Sequence, residues 1–182
     1  MAGVDRHGPP SIVQSCGMST EADWHEIVVT DADWTEAEAR AYKGPGDDPA
    51  MRPEHSKHGE RERDEVAKIA LRRWGTDRGF ETPGDIEAKE APLEPWDHKP
   101  RNLLVPPHRL VENPSGRFCL LLSPPNLRNV AGGTIWFFAG WINSEEVEAM
   151  TLLEKPKLPA TAWLVPRAKL KTPALLEAEL RR

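Results

Sequence analysis

Cysteine is scarce: Cys16 and Cys119 are the only two in 182 residues. They lie far apart with no Cys or His at metal-ligand spacing around them, so neither a zinc site nor a disulfide framework is indicated. Cys119 sits inside an apolar run and reads as a core residue, so a reducing cytosol is the expected setting. Long apolar runs are missing too. None approaches the roughly 18 residues of a membrane span, and the first residues lack the apolar centre of a secretion signal. Tyrosine occurs once, against seven Trp. Positive charge is in short supply: the net charge is −5 with 29 % charged residues. That describes an ordinary soluble chain, neither disordered nor fibrous, of a length that fits one domain with a sizeable core.

The charge is unevenly placed. Residues 1–60 carry 12 acidic and 5 basic side chains, whereas 98–142 carry 5 basic and 1 acidic. The second stretch is the part suited to face phosphate, through Lys99, Arg101, Arg109, Arg117 and Arg128, although a solvated sheet surface is an equally good account of them. Residues 1–17 show no periodicity and read as a flexible N-terminal arm or an over-called start. Residues 18–182 read as a single domain with a mobile loop near 43–59, where Gly, Pro and charge dominate.

Local signals place the elements. "WHEIVVT" (24–30) reads as a strand, and Thr30 with Asp33 forms a capping box for the helix that follows. In "ERERDEVAKIALRRW" (60–74), Ala67, Ala70, Leu71 and Trp74 fall at the spacing of a buried helical stripe, and Gly75 marks its end. Strands are expected at 85–90, 102–105, 117–123 and 134–142. Asn143 with Glu146 caps a further helix, an extended piece follows at 161–166, and Thr172-Pro173 starts the last helix. Trp136 and Trp141 suit the core better than stacking on bases. "LVPPHRL" (104–110) and "LVPRAKL" (164–170) look alike without making a repeat. The order and the continuous apolar runs point to an α/β or α+β fold with helices packed on a sheet.

"PGDIEAKE" (83–90) carries the chemistry. Alternate strand side chains share a face, so Asp85, Glu87 and Lys89 are expected on one side and Ile86 and Ala88 on the other. Two carboxylates at that spacing suit a hard cation such as Mg²⁺ or Mn²⁺, and a neighbouring Lys suits a metal-bound water or developing phosphate charge. The plainer account is the wet face of a half-buried strand.

With Glu65 on the preceding helix, "GDIEAKEA", "DEVAKIAL", "RFCLLLS", "FFAGWI" and "AWLVPRAKL" together resemble the PD-(D/E)XK, or restriction-endonuclease-like, superfamily. More narrowly they resemble small phage proteins whose central strand reads GDIEV(R/K). The resemblance implies a mixed central β-sheet flanked by helices on an αβββαβ core, and Mg²⁺-dependent hydrolysis of DNA in a host cytoplasm. It assigns Asp85 and Glu87 as metal ligands, Lys89 and Glu65 as catalytic partners, and Asp77 as the alternative to Asp85. A homodimer would suit cutting both strands. The alternative is an inactive nuclease fold that binds nucleic acid or a host protein, as an anti-defence factor or a DNA mimic.

Overall fold

The computed structural model describes residues 18–42, 57–93, 102–124, 133–153 and 162–182. The arm, most of the expected loop, and Lys99, Arg101 and Arg128 lie outside the described residues. Strand β1 (His25–Val29) leads into helix α1 (Asp31–Ala41), whose capping box is formed by Thr30 and Asp33. Helix α2 (Lys57–Asp77) starts inside the expected loop and runs past Gly75. Its stop is Gly79, at φ +79°. There the Phe80 N–H bonds to the Gly75 carbonyl and the Gly79 N–H to that of Thr76, which is the Schellman pattern that a left-handed glycine permits.

The chain continues through β2 (Ile86–Pro92), β3 (Leu103–Val105), α3 (Pro107–Glu112), β4 (Arg117–Ser123), β5 (Thr134–Asn143) and α4 (Ser144–Val147). It closes with β6 (Thr151–Leu153), β7 (Ala162–Val165) and α5 (Pro173–Leu180). The fold is mixed α/β. Its central sheet is ordered β1-β5-β4-β2, with β2 parallel to β4 and the other pairs antiparallel. A second, three-stranded sheet, β3-β7-β6, was not expected. Within it the look-alike stretches meet: Leu103, Leu104 and Val105 pair with Val165, Leu164 and Trp163. Each stretch then turns at a proline into a short helical segment.

The central sheet is buried on both faces, which is why β4 is nearly continuously apolar. One face presents Ile27, Val29, Ala88, Cys119, Leu121, Trp136, Phe138 and Trp141 to Val66, Ala70 and Trp74 of α2 and Leu176 of α5. The other presents Phe118, Leu120, Leu122, Ala139 and Ile142 to β3, β7, α3 and α4. A bulge in β5 allows this division: the register slips between Leu120 and Leu121, which pair with Gly140 and Phe138 and leave Ala139 as the extra residue. The slip resets the alternation, so Trp136 and Trp141 both point to the α2 face. Both are fully buried, which removes them as base-stacking platforms. Cys119 is buried as expected, and burial raises its thiol pKa far above the range in which it reacts.

Candidate functional site

Strand β2 is an edge strand, with β4 on one side and no strand beyond it among the described residues. Its parallel register sets which face each side chain takes. Glu87 stands opposite Phe118 and Lys89 opposite Leu120, both on the β3/α3 face, while Ala88 and Glu90 stand opposite Cys119 and Leu121 on the α2 face. Glu87 and Lys89 therefore share a face as the alternation predicts, and Lys89 Nζ lies 3.0 Å from Glu87 Oε1.

Asp85 departs from that row. The strand begins at Ile86, one residue later than expected, and Asp85 belongs to the preceding turn. Its carboxylate accepts a 2.6 Å hydrogen bond from Arg117 Nη1. Arg117 stands opposite Ile86, on the α2 face, and reaches Glu179 of α5 at 3.5 Å. The carbonyl of Asp85 is held by the Asn113 side-chain amide at 2.8 Å and by the Arg117 N–H at 3.0 Å. Asp85 thus ties the entry of β2 to β4, and its carboxylate is engaged on the opposite face from Glu87.

A cleft of about 370 Å³ wraps the outer edge of β2 and is lined by Gly84, Ile86, Glu87, Lys68, Arg109, Glu112 and Asn113. Arg109 enters from α3, with its Nε 3.5 Å from Glu87 Oε1 and its Nη1 3.0 Å from Glu112. Lys68 enters from α2 and is paired with Glu65 one turn earlier. Glu65 therefore reaches the cleft through Lys68. Glu87 is the unusual member. Its side chain is only 14 % exposed, and Oε1 is buried with two cations beside it yet accepts no hydrogen bond. Lys89 and Arg109 meet it as ion pairs at 3.0 Å and 3.5 Å, and a buried carboxylate oxygen that accepts no hydrogen bond is uncommon in a folded chain.

A second cleft, of about 580 Å³, lies further along the same edge and includes Arg63, Asp64, Lys89, Glu90, Asn102 and Leu120. Here Glu90 is 8 % exposed, accepts from the Ser123 hydroxyl and pairs with Arg63 at 3.3 Å. Burial raises its pKa, and the Ser123 and Arg63 contacts only partly oppose that. Sequence reasoning passed over Glu90, Lys68 and Glu112. The alternation itself held the signal for Glu90, since a residue two beyond Ala88 on the same strand falls on the covered face. Asp77, the alternative acid, is exposed in the last turn of α2 and lines neither cleft.

For Mg²⁺ the donor set is lopsided. Among the described residues no three His, Cys, Asp or Glu side chains are grouped to hold a metal. Glu87 offers a buried oxygen that accepts no hydrogen bond, which suits an ion that keeps its waters and takes one carboxylate plus substrate phosphate. No described helix is long and apolar enough to cross a membrane. Comparison of the chain with protein-family models, with curated proteins and with solved structures finds no match.

Proposed function

We propose that the cleft at the edge of β2 is the centre of a Mg²⁺-dependent nuclease acting on DNA, on a restriction-endonuclease-like core. The observation that carries this reading is the buried, hydrogen-bond-free oxygen of Glu87 beside Lys89 on one strand face. Glu87 would hold the cation, which when bound lowers the pKa of its water and draws charge from the phosphate. Lys89, beside Glu87 on the same strand face, would orient the attacking water. Arg109 and Lys68 flank the opening from α3 and α2, where a phosphodiester's negative charge would sit. Asp85 acts through Arg117 and Asn113 as a positioning residue that fixes where β2 begins.

A second reading, a nuclease-like fold that binds without cutting, is favoured by one feature. Each cation of the smaller cleft already has an acidic partner: Lys68 has Glu65, and Arg109 has Glu87 and Glu112. The test is cleavage of plasmid and linear DNA in Mg²⁺ or Mn²⁺ by the wild type, Glu87→Ala and Lys89→Ala. The nuclease reading expects losses of about a hundredfold or more in both variants. Undiminished cleavage by both would sink it, and DNA retention without cleavage by the wild type would establish the second reading.

A further inference from the structure

At the far end of α2 a different cluster is built around His25. His25 shares the α2 face of β1 with Ile27 and Val29. Its Nδ1 accepts a 2.9 Å hydrogen bond from the indole N–H of Trp74, a side chain that is 1 % exposed. This fixes the neutral ring as the Nε2–H tautomer. Arg78 Nη2 stands 3.2 Å from the same nitrogen, and its guanidinium lies 5.0 Å from the centre of the Trp74 ring. Arg78 is paired in turn with Glu177 of α5 at 3.2 Å, and Arg181, which caps the end of α5, donates to the Arg78 carbonyl at 2.6 Å. From β5 the cross-strand neighbour of His25 is the uncharged Phe138.

One imidazole nitrogen thus sits where a cation just past the end of α2, an α5 anion and a buried indole donor meet. We propose that His25 is a proton-operated latch on the C-terminal helix: its protonation removes the acceptor of the Trp74 indole, expels the Arg78 guanidinium and loosens the docking of α5. A protonated Nδ1 carries a hydrogen and accepts nothing, so the buried indole N–H loses its partner. The imidazolium also repels Arg78 and attracts Glu177, exchanging the ion pair that joins the turn after α2 to α5. Burial and then the charge of Arg78 lower the pKa of His25 below 6.5, with Glu177 acting the other way. The latch is therefore closed at neutral pH and opens in mild acid, within the range where His serves as a switch.

The experiment follows the Trp74 indole resonance and the His25 imidazole by NMR from about pH 7.5 to about pH 5, with amide exchange over 173–180 corrected for its intrinsic pH dependence. The expected result is a Trp74 resonance that moves with the imidazole titration, and exchange in α5 that rises by about tenfold. Glu or Asp titration elsewhere is separated by His25→Gln, which keeps an acceptor for the indole without a titrating ring. In that variant both responses should be flat. Arg78→Met removes the repelling charge and should move the midpoint upward. A Trp74 resonance that stays fixed while His25 titrates overturns the latch. So does an exchange rise that persists in His25→Gln, or a midpoint unmoved in Arg78→Met.

Discussion

Replacing Asp85 and Glu87 by their amides separates the two carboxylates that the alternation placed in one row. The Asp85–Arg117 contact is a 2.6 Å charge-assisted hydrogen bond between side chains 37 % and 24 % exposed. Such a bond is worth about 1.5–3 kcal/mol when desolvated, and solvent screening at this exposure brings it to about 1 kcal/mol. Asp85→Asn also leaves Arg117, whose Nε is buried without a hydrogen bond, with Glu179 as its remaining anion. A loss of about 1 kcal/mol is therefore expected. Glu87→Gln removes a charge whose Oε1 is buried and accepts no hydrogen bond, so the desolvation it relieves offsets the ion pairs to Lys89 and Arg109 that it loses, and its effect should stay within about 0.5 kcal/mol. Urea unfolding followed by far-ultraviolet circular dichroism measures both. If Glu87→Gln costs more than Asp85→Asn, the assignment of Asp85 to structure and Glu87 to chemistry is refuted.

Three further outcomes follow from other parts of the fold. Asp33 is buried and accepts from the Thr30 N–H at 2.7 Å, the Thr30 hydroxyl at 2.9 Å and Arg73 Nη1 at 2.6 Å. Asp33→Ala should cost about 1–3 kcal/mol, since it removes a helix cap and the anionic partner of the partly exposed Arg73; a thermal shift within error of wild type would contradict this. Burial acts to raise the Asp33 pKa, but the Thr30 and Arg73 contacts together outweigh it and the net shift is downward. Its stabilisation is thus complete above about 3.8 and is lost as pH falls through the lower folded value, a slope that Asp33→Asn should abolish in acid titrations. Glu90 has the opposite sign: its folded pKa is raised above 4.5, so its contribution is full below 4.5 and fades as pH rises through the folded value. Glu90→Gln should gain stability relative to wild type between about pH 7 and 8, and an equal or larger loss there than at about pH 4 would count against that burial argument. At Gly140, φ is +150° and a Cβ would lie 2.5 Å from the Lys171 carbonyl, so Gly140→Ala should lower stability by about 2 kcal/mol or more in the same unfolding assay.

Signals confined to a few residues were legible in the sequence. The capping boxes at Thr30/Asp33 and Asn143/Glu146, and the Thr172-Pro173 start, lie where α1, α4 and α5 begin. The buried stripe of α2 was equally clear, because Ala67, Ala70, Leu71 and Trp74 all pack into one core. What escaped depends on distant partners. Strand β6 and helix α3 are too short for periodicity to mark them, and the pairing of β3, itself expected as a strand, with β7 some sixty residues on leaves no local trace. Gly75, expected as the end of α2, lies inside its last turn and about one turn short of Gly79, the left-handed position that stops the helix.

The candidate site divides along the same line. Glu87 and Lys89 were readable because both lie inside one strand, where alternation alone fixes their face. Asp85 was not, since its orientation is set by Arg117, 32 residues away, and by a strand that begins one residue later. Arg109 was read as a cation for phosphate, and its place beside Glu87 came from α3, an element with no sequence signature of its own.

The measurement that bears most directly on the nuclease reading is Mn²⁺ binding by titration calorimetry to the wild type, Asp85→Asn and Glu87→Gln. The account predicts one bound ion per chain in the wild type, affinity within about threefold of that in Asp85→Asn, and a loss of at least about tenfold in Glu87→Gln. A wild type that binds no Mn²⁺, or a Glu87→Gln variant that binds it as tightly as the wild type, would contradict the central claim.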